Sequence, residues 1–261
     1  MRTSSERFRQ ATGVLFILGA VLVNVPYALL IANFNYPDIL RQPPSVILTQ
    51  FAAGGTPLIL TWLAFAWVGF PLLLAIIMLQ RVMGHDKVPY LWAGTIAGVV
   101  GAVLQMIGLL RWVFVVPVLA GTYTDPAASA AARESAVVAF QMVHQLGGVL
   151  LGEHLGQMFT IFWMLVVSLA ALRSRLFKPF AAWLGMAAAL IYLLAQTELL
   201  GTVVTGIPAI PGAGLIGSLL WLLWMIVLGA FLVRRNAVPD RSSAGNPVDH
   251  SAARPLPATV E

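Results

Sequence analysis

The chain has 261 residues, of which 59% are hydrophobic and only 10% charged, with a mean hydropathy of +0.88. A soluble domain carries about one quarter charged residues, so water is not the main solvent of this chain, and classical soluble enzymology is excluded. The net charge of +5 points to anionic lipid as a partner and not to nucleic acid, because the basic residues are scattered and form no stripe beside stacking aromatics. Without Cys there are no disulfides, thiolate metal sites or Cys nucleophiles.

In chain order, about 20 apolar residues at about 1.5 Å each are needed to cross a hydrocarbon core of about 30 Å. That arithmetic places six spans near 12–32, 57–80, 90–112, 148–172, 179–200 and 214–233. The fold class is therefore all-α, a polytopic membrane bundle over residues 1–235. A disordered tail, rich in Pro, Ser, Ala and charge, is expected over 236–261. The first span has a basic flank like a signal peptide but is too long and lacks a cleavage pattern, so it is read as a retained helix. Asn24 and Pro26 should kink it. Thr56-Pro57, Val88-Pro89 and Lys178-Pro179 read as helix starts. Ser45 to Ala53 reads as a short stretch lying flat in the outer interface, before Gly54-Gly55. After Asp125-Pro126, with Asp125 as N-cap, an Ala-rich outer interfacial helix continues to Leu146 and is expected to bend at Gly147-Gly148.

Orientation follows from charge. Arg2, Arg7, Arg9, Arg81, Lys87, Arg173, Arg175, Lys178, Arg234, Arg235, Arg241 and Arg254 fall in one alternate set of connecting segments, and only Arg41 and Arg133 in the other. Lys and Arg stay on the cytoplasmic side, so both termini are expected inside, in a bacterial inner (plasma) membrane.

Two glycine series report on helix contacts. Gly148, Gly152 and Gly156, spaced by four, lie along one face of the fourth span, and Gly94 and Gly98 repeat the pattern in the third. Small-xxx-small faces allow close backbone approach in lipid, so these two spans should pack tightly.

Counting outward from the inner flanks brings Arg111, Glu153, His154 and Glu198 to one level, the outer edge of the hydrocarbon core, with Asn24 slightly deeper. Interfacial tolerance and snorkelling account for such residues in one reading. In the other they form an outward-facing polar mouth, with Arg111 paired to Glu153 and with Gln157 on the same strip as Glu153. His144 and His154 lie ten residues apart without a second ligand at helical spacing, so no metal, haem or other cofactor is expected. Neither a phosphate-binding Gly-rich loop with Lys nor a Gly-x-Ser-x-Gly elbow occurs.

The stretch LLRWVFVVPVLAGTYTDP, followed by a helix with ARES and then GEHLGQ, resembles the pattern of an uncharacterised domain-of-unknown-function family of bacterial multi-pass membrane proteins. The resemblance implies a six-helix membrane fold and supplies no activity. It marks Arg111, Tyr123, Asp125, Glu153 and His154 as the motif-bearing positions.

The preferred functional expectation is a non-enzymatic membrane protein that binds a small amphiphile, lipid or ion at Arg111, Glu153, His154, Gln157, Glu198, Asn24 and His144. It would serve as a sensor, transporter component or partner subunit. The alternative is a membrane-embedded enzyme with Glu153 or His154 as acid-base and Arg111 as anion stabiliser. Membrane lipids are the expected partners, and a homo-oligomer or a membrane partner subunit stays open. Topology can be tested directly, because a chain without Cys accepts single-Cys labels cleanly. Asp125→Cys and Thr205→Cys should react with an impermeant thiol reagent from outside, and His85→Cys should not. Labelling at position 85 from outside would overturn the orientation.

Overall fold

The computed structural model describes residues 3–84, 90–174 and 176–234, and among these there is no strand. The expected disordered tail lies outside the described residues, as does the Pro89 helix start. Six helices are long and apolar enough to cross a membrane: Ser4–Phe34, Pro44–Met83, Leu91–Thr124, Ala130–Arg173, Pro179–Gly201 and Ala213–Arg234. The chain is a multi-pass membrane protein.

Each span packs on its sequence neighbour, and the first closes on the sixth, so the six form a ring. At one end of the ring Gln10 donates to the Val233 carbonyl at 3.4 Å, and Arg81 and Arg173 lie over the Phe8 and Tyr90 rings at 5.3 and 5.4 Å. This is the basic end.

The first four spans exceed what a bilayer needs. Their 31, 40, 34 and 44 residues correspond to about 46, 60, 51 and 66 Å, against about 30 Å of hydrocarbon. The surplus gathers at the end opposite the basic one, where the helices are interrupted. The first span divides into α1 (Ser4–Leu22) and α2 (Asn24–Phe34), and Asn24 Nδ2 donates back to the Ala20 carbonyl at 2.8 Å. The second divides into α3 (Pro44–Trp67) and α4 (Gly69–Met83), and the third into α5 (Leu91–Phe114) and α6 (Val116–Thr124). Within α3 the backbone kinks at Gly55, whose φ of 53° and ψ of −151° suit only glycine, so Pro57 begins the second half of that helix. The Ser45 to Ala53 stretch lies in the first half, which turns Ile47, Leu48 and Phe51 into a buried core.

The fourth span is α7 (Ala130–Val143), a π-helix (His144–Leu155) and α8 (Gly156–Arg173). Two expectations are corrected here. Asp125 is not the N-cap of α7: its carboxylate accepts from the Ala127 N–H in the turn, and Ser129 caps the helix by accepting from the Ala132 N–H. The chain widens into the π-helix at His144, before Gly147-Gly148, and remains helical through those glycines to α8. The fifth span is α9 (Pro179–Leu194) with α10 (Gln196–Gly201), and the sixth is α11 (Ala213–Arg234).

Two apolar cores result. The one toward the basic end joins all six spans around Trp163 and Trp224, whose ring centroids are 5.2 Å apart. The other fills the overhang with Phe34, Phe51, Trp62, Trp112 and Phe140, and its centre is the Trp62–Trp112 stack at 4.9 Å. Such aromatic stacking adds about 0.5–1.5 kcal/mol per pair beyond burial.

Antiparallel α5 and the fourth span meet along glycines. A Cβ on Gly94 would strike Val166, one on Gly98 would strike Trp163, and one on Gly101 would lie 2.9 Å from the Gly156 carbonyl oxygen. At Gly108 and Gly152 the two backbones themselves touch: a Cβ on Gly108 would lie 2.7 Å from the Gly152 Cα. Gly108→Ala should therefore lower the melting temperature in detergent, with an overpacking cost of about 1–3 kcal/mol. Gly121→Ala, where a Cβ meets nothing within 4 Å, should not. Equal melting of the two variants would show that this approach is looser than described.

Candidate functional site

Where the two cores meet, a cavity of about 610 Å³ opens inside the ring, and all six spans contribute walls. Its apolar walls include Leu72, Ala102, Met106, Leu222 and Met225, and Trp62 and Trp112 form its boundary on the overhang side. Of the residues the sequence singles out, Asn24, Arg111, Glu153, Gln157 and Glu198 line it, together with Gly148 and Gly152. His144 and His154 do not.

The mouth is crossed by a residue that sequence reasoning missed. Arg41 ends the short 3-10 helix Asp38–Arg41, and its Nη2 lies 3.2 Å from Glu153 Oε2 and 3.2 Å from Glu198 Oε1. One guanidinium thus ties the loop after α2 to the π-helix and to α10. The expected Arg111–Glu153 pair is corrected by this geometry, since Glu153 gives its ion pair to Arg41 and, among the described residues, no carboxylate comes within 4.0 Å of Arg111. The signal was present in the sequence: Arg41 is one of only two basic residues in the outer set of segments. Its partners lie 112 and 157 residues away, beyond the reach of helical spacing.

Arg111 lies deeper and is only 7% exposed. Nη1 donates to the Gly108 carbonyl, and the guanidinium carbon sits 5.1 Å from the Trp112 ring centroid. The group rests against the π-helix at Gly148, where a Cβ would come 2.5 Å from Nη2. Gly148 is therefore small to admit Arg111, whereas Gly152 and Gly156 admit Gly108 and Gln105 of α5. Among the described residues, Nε of Arg111 is buried without a hydrogen-bond partner, as are the indole N–H groups of Trp62 and Trp221. All three residues line the cavity.

Three tyrosines, Tyr27, Tyr36 and Tyr192, were also not anticipated and add phenols to the wall. Desolvation first, and the Glu153 carboxylate second, push the Tyr36 phenol well above the ordinary range, so it stays neutral. Gln105, another wall residue, donates to the Thr160 hydroxyl at 2.8 Å and to the Gly156 carbonyl at 3.3 Å across the glycine contact.

On the other side of the π-helix, His154 Nδ1 lies 2.8 Å from Gln196 Oε1, and the Gln196 amide N–H donates to Gln157 Oε1. His154 lines a separate apolar groove. Glu153 and His154 therefore serve different concavities, Glu153 the cavity and His154 the groove. His144 stacks on Phe140 with centroids 5.4 Å apart and an interplanar angle of 28°. Among the described residues no group of three or more His, Asp or Glu gathers at metal-ligand distance.

The Gly148 contact yields a test. Gly148→Ala should displace the guanidinium and cost about 1–3 kcal/mol of stability. Combined with Arg111→Ala the loss should be smaller than the sum of the two single losses, because the clash disappears with the side chain. Strict additivity in thermal melts would show that Arg111 does not rest on Gly148.

No curated protein and no solved structure matches the chain. A family model does, over residues 11–229, which takes in all six spans and every residue of the cavity wall. The chain belongs to the family described as Domain of unknown function (DUF4386).

Proposed function

We propose that the protein binds a small amphiphile with an anionic or strongly hydrogen-bond-accepting head in the central cavity, open to the outer face of the plasma membrane. The observation that carries this reading is the set of unspent donors. Among the described residues, Arg111 is buried with no carboxylate within 4.0 Å, and Arg111 Nε and the indoles of Trp62 and Trp221 have no acceptor. A buried charge without a partner costs several kcal/mol, and an anionic head would offset that cost. Of the carboxylates in the wall, Glu153 and Glu198 are held by Arg41, and Asp38 makes no ion pair with Arg111. Leu72, Leu222 and Met225 offer the apolar wall that a tail requires. A binding role of this kind suits a sensor, a transporter component or a partner subunit, with membrane lipid as the surrounding partner.

The experiment is a native mass-spectrometry titration with palmitate. Wild type should bind it, and Arg111→Ala should lose at least about tenfold in affinity, or about 1.4 kcal/mol. Arg111→Lys should lose nearly as much, because an ammonium keeps the charge but not the planar donor fork. Equal binding by wild type and Arg111→Ala would reduce the cavity to a polar interface.

A further inference from the structure

The second concavity lies outside the ring, between the start of the fourth span and α10. It is about 700 Å³ in volume and is walled by Val149, Leu150, Leu199, Leu200 and Val203, with His154 at its edge. Met142 and Leu146, also in its wall, are 69% and 58% exposed, so this apolar surface has no protein cover. Its polar groups are the exposed Gln145 amide near the solvent side and one hydrogen-bonded chain that ends on His154. Gln196 spends an amide N–H on Gln157, which leaves its carbonyl oxygen facing His154 Nδ1. That oxygen can only accept, so in the neutral imidazole the His154 proton sits on Nδ1. Nε2 is then a lone-pair acceptor, and it has no hydrogen-bond partner among the described residues.

We propose that this groove is a second ligand site, one that takes a neutral lipid carrying a hydroxyl group. The O–H donates to His154 Nε2, and the hydrocarbon body lies along Val149, Leu150, Leu200 and Val203. An acceptor at the edge of an apolar groove selects a donor. A carboxylate or phosphate head, lacking a proton to give, is disfavoured there. This site is distinct in chemistry from the cavity, where donors are unspent, and the His154–Gln196–Gln157 chain stands between the two. Gln196 acts through His154 and is a positioning residue.

The test compares 1-hexadecanol with hexadecyl methyl ether, two chains that differ in the ability to donate. With ¹⁵N-histidine-labelled protein in lipid nanodiscs, the alcohol should shift the Nε2 resonance of His154 saturably and the ether should not. His154→Leu identifies that resonance by its loss, and should weaken alcohol binding at least tenfold in a competition titration. Gln196→Leu, which frees the tautomer, should weaken it several-fold while keeping the histidine. Arg111→Lys should leave the alcohol titration unchanged, which separates this site from palmitate binding in the cavity. The proposal is overturned if alcohol and ether shift His154 equally, or if His154→Leu binds the alcohol with wild-type affinity. Should His154→Leu fail to fold, His154→Asn supplies the assignment and the binding comparison in its place.

Discussion

The close approach of α5 to the fourth span is the constraint on which the rest of the structure depends. In lipid no hydrophobic effect draws two helices together, so backbone contact at small residues must do so. At Gly108 and Gly152 the two main chains meet without any side chain between them. Three residues further along α5, that proximity brings Arg111 onto the π-helix at Gly148. On the other side of the same contact, Gln105 reaches the Gly156 carbonyl and the Thr160 hydroxyl. A larger residue at any of these glycines would separate the helices and release the guanidinium toward the mouth.

The π-helix gives this constraint a chemical consequence. π turns are rare and occur often at functional sites. Here the widened segment presents Glu153 to the cavity and His154 to the outer groove. Adjacent residues therefore serve two surfaces of opposite character. One surface holds unspent donors near a cation, and the other sets the His154 imidazole in a mostly apolar wall.

Surplus helix length explains why a cavity exists at all. Spans matched to the bilayer would end near the level of Arg111, and the ring would open straight to solvent. Instead four spans continue, and Phe34, Phe51, Trp62, Trp112 and Phe140 close a second core above the ring. Arg41 sits at the edge of that cap. Its ion pairs are partly exposed, so each is worth at most about 1 kcal/mol; their role is to define the mouth, with little effect on stability.

The sequence by itself determined what depends on local composition and helical period. Apolar run lengths fixed six spans to within a few residues at the start of the third and through the fifth and sixth, and the spacing of Gly148, Gly152 and Gly156 marked a face that meets another helix. The level of Arg111, Glu153 and Glu198 could also be counted, because rise per residue is constant, and these three do line one cavity. Only the tertiary structure decided who pairs with whom. Arg41 reaches Glu153 and Glu198 from a loop whose path no periodicity encodes, and it thereby takes the carboxylate that spacing had given to Arg111. That Glu153 and His154 point in different directions was legible from the helical angle between adjacent residues, but which surface each would serve was not, because the cavity and the groove are made by other spans. The overhanging core was equally hidden, because its aromatics come from α2, α3, α5 and α7, and their meeting is a property of the packed ring.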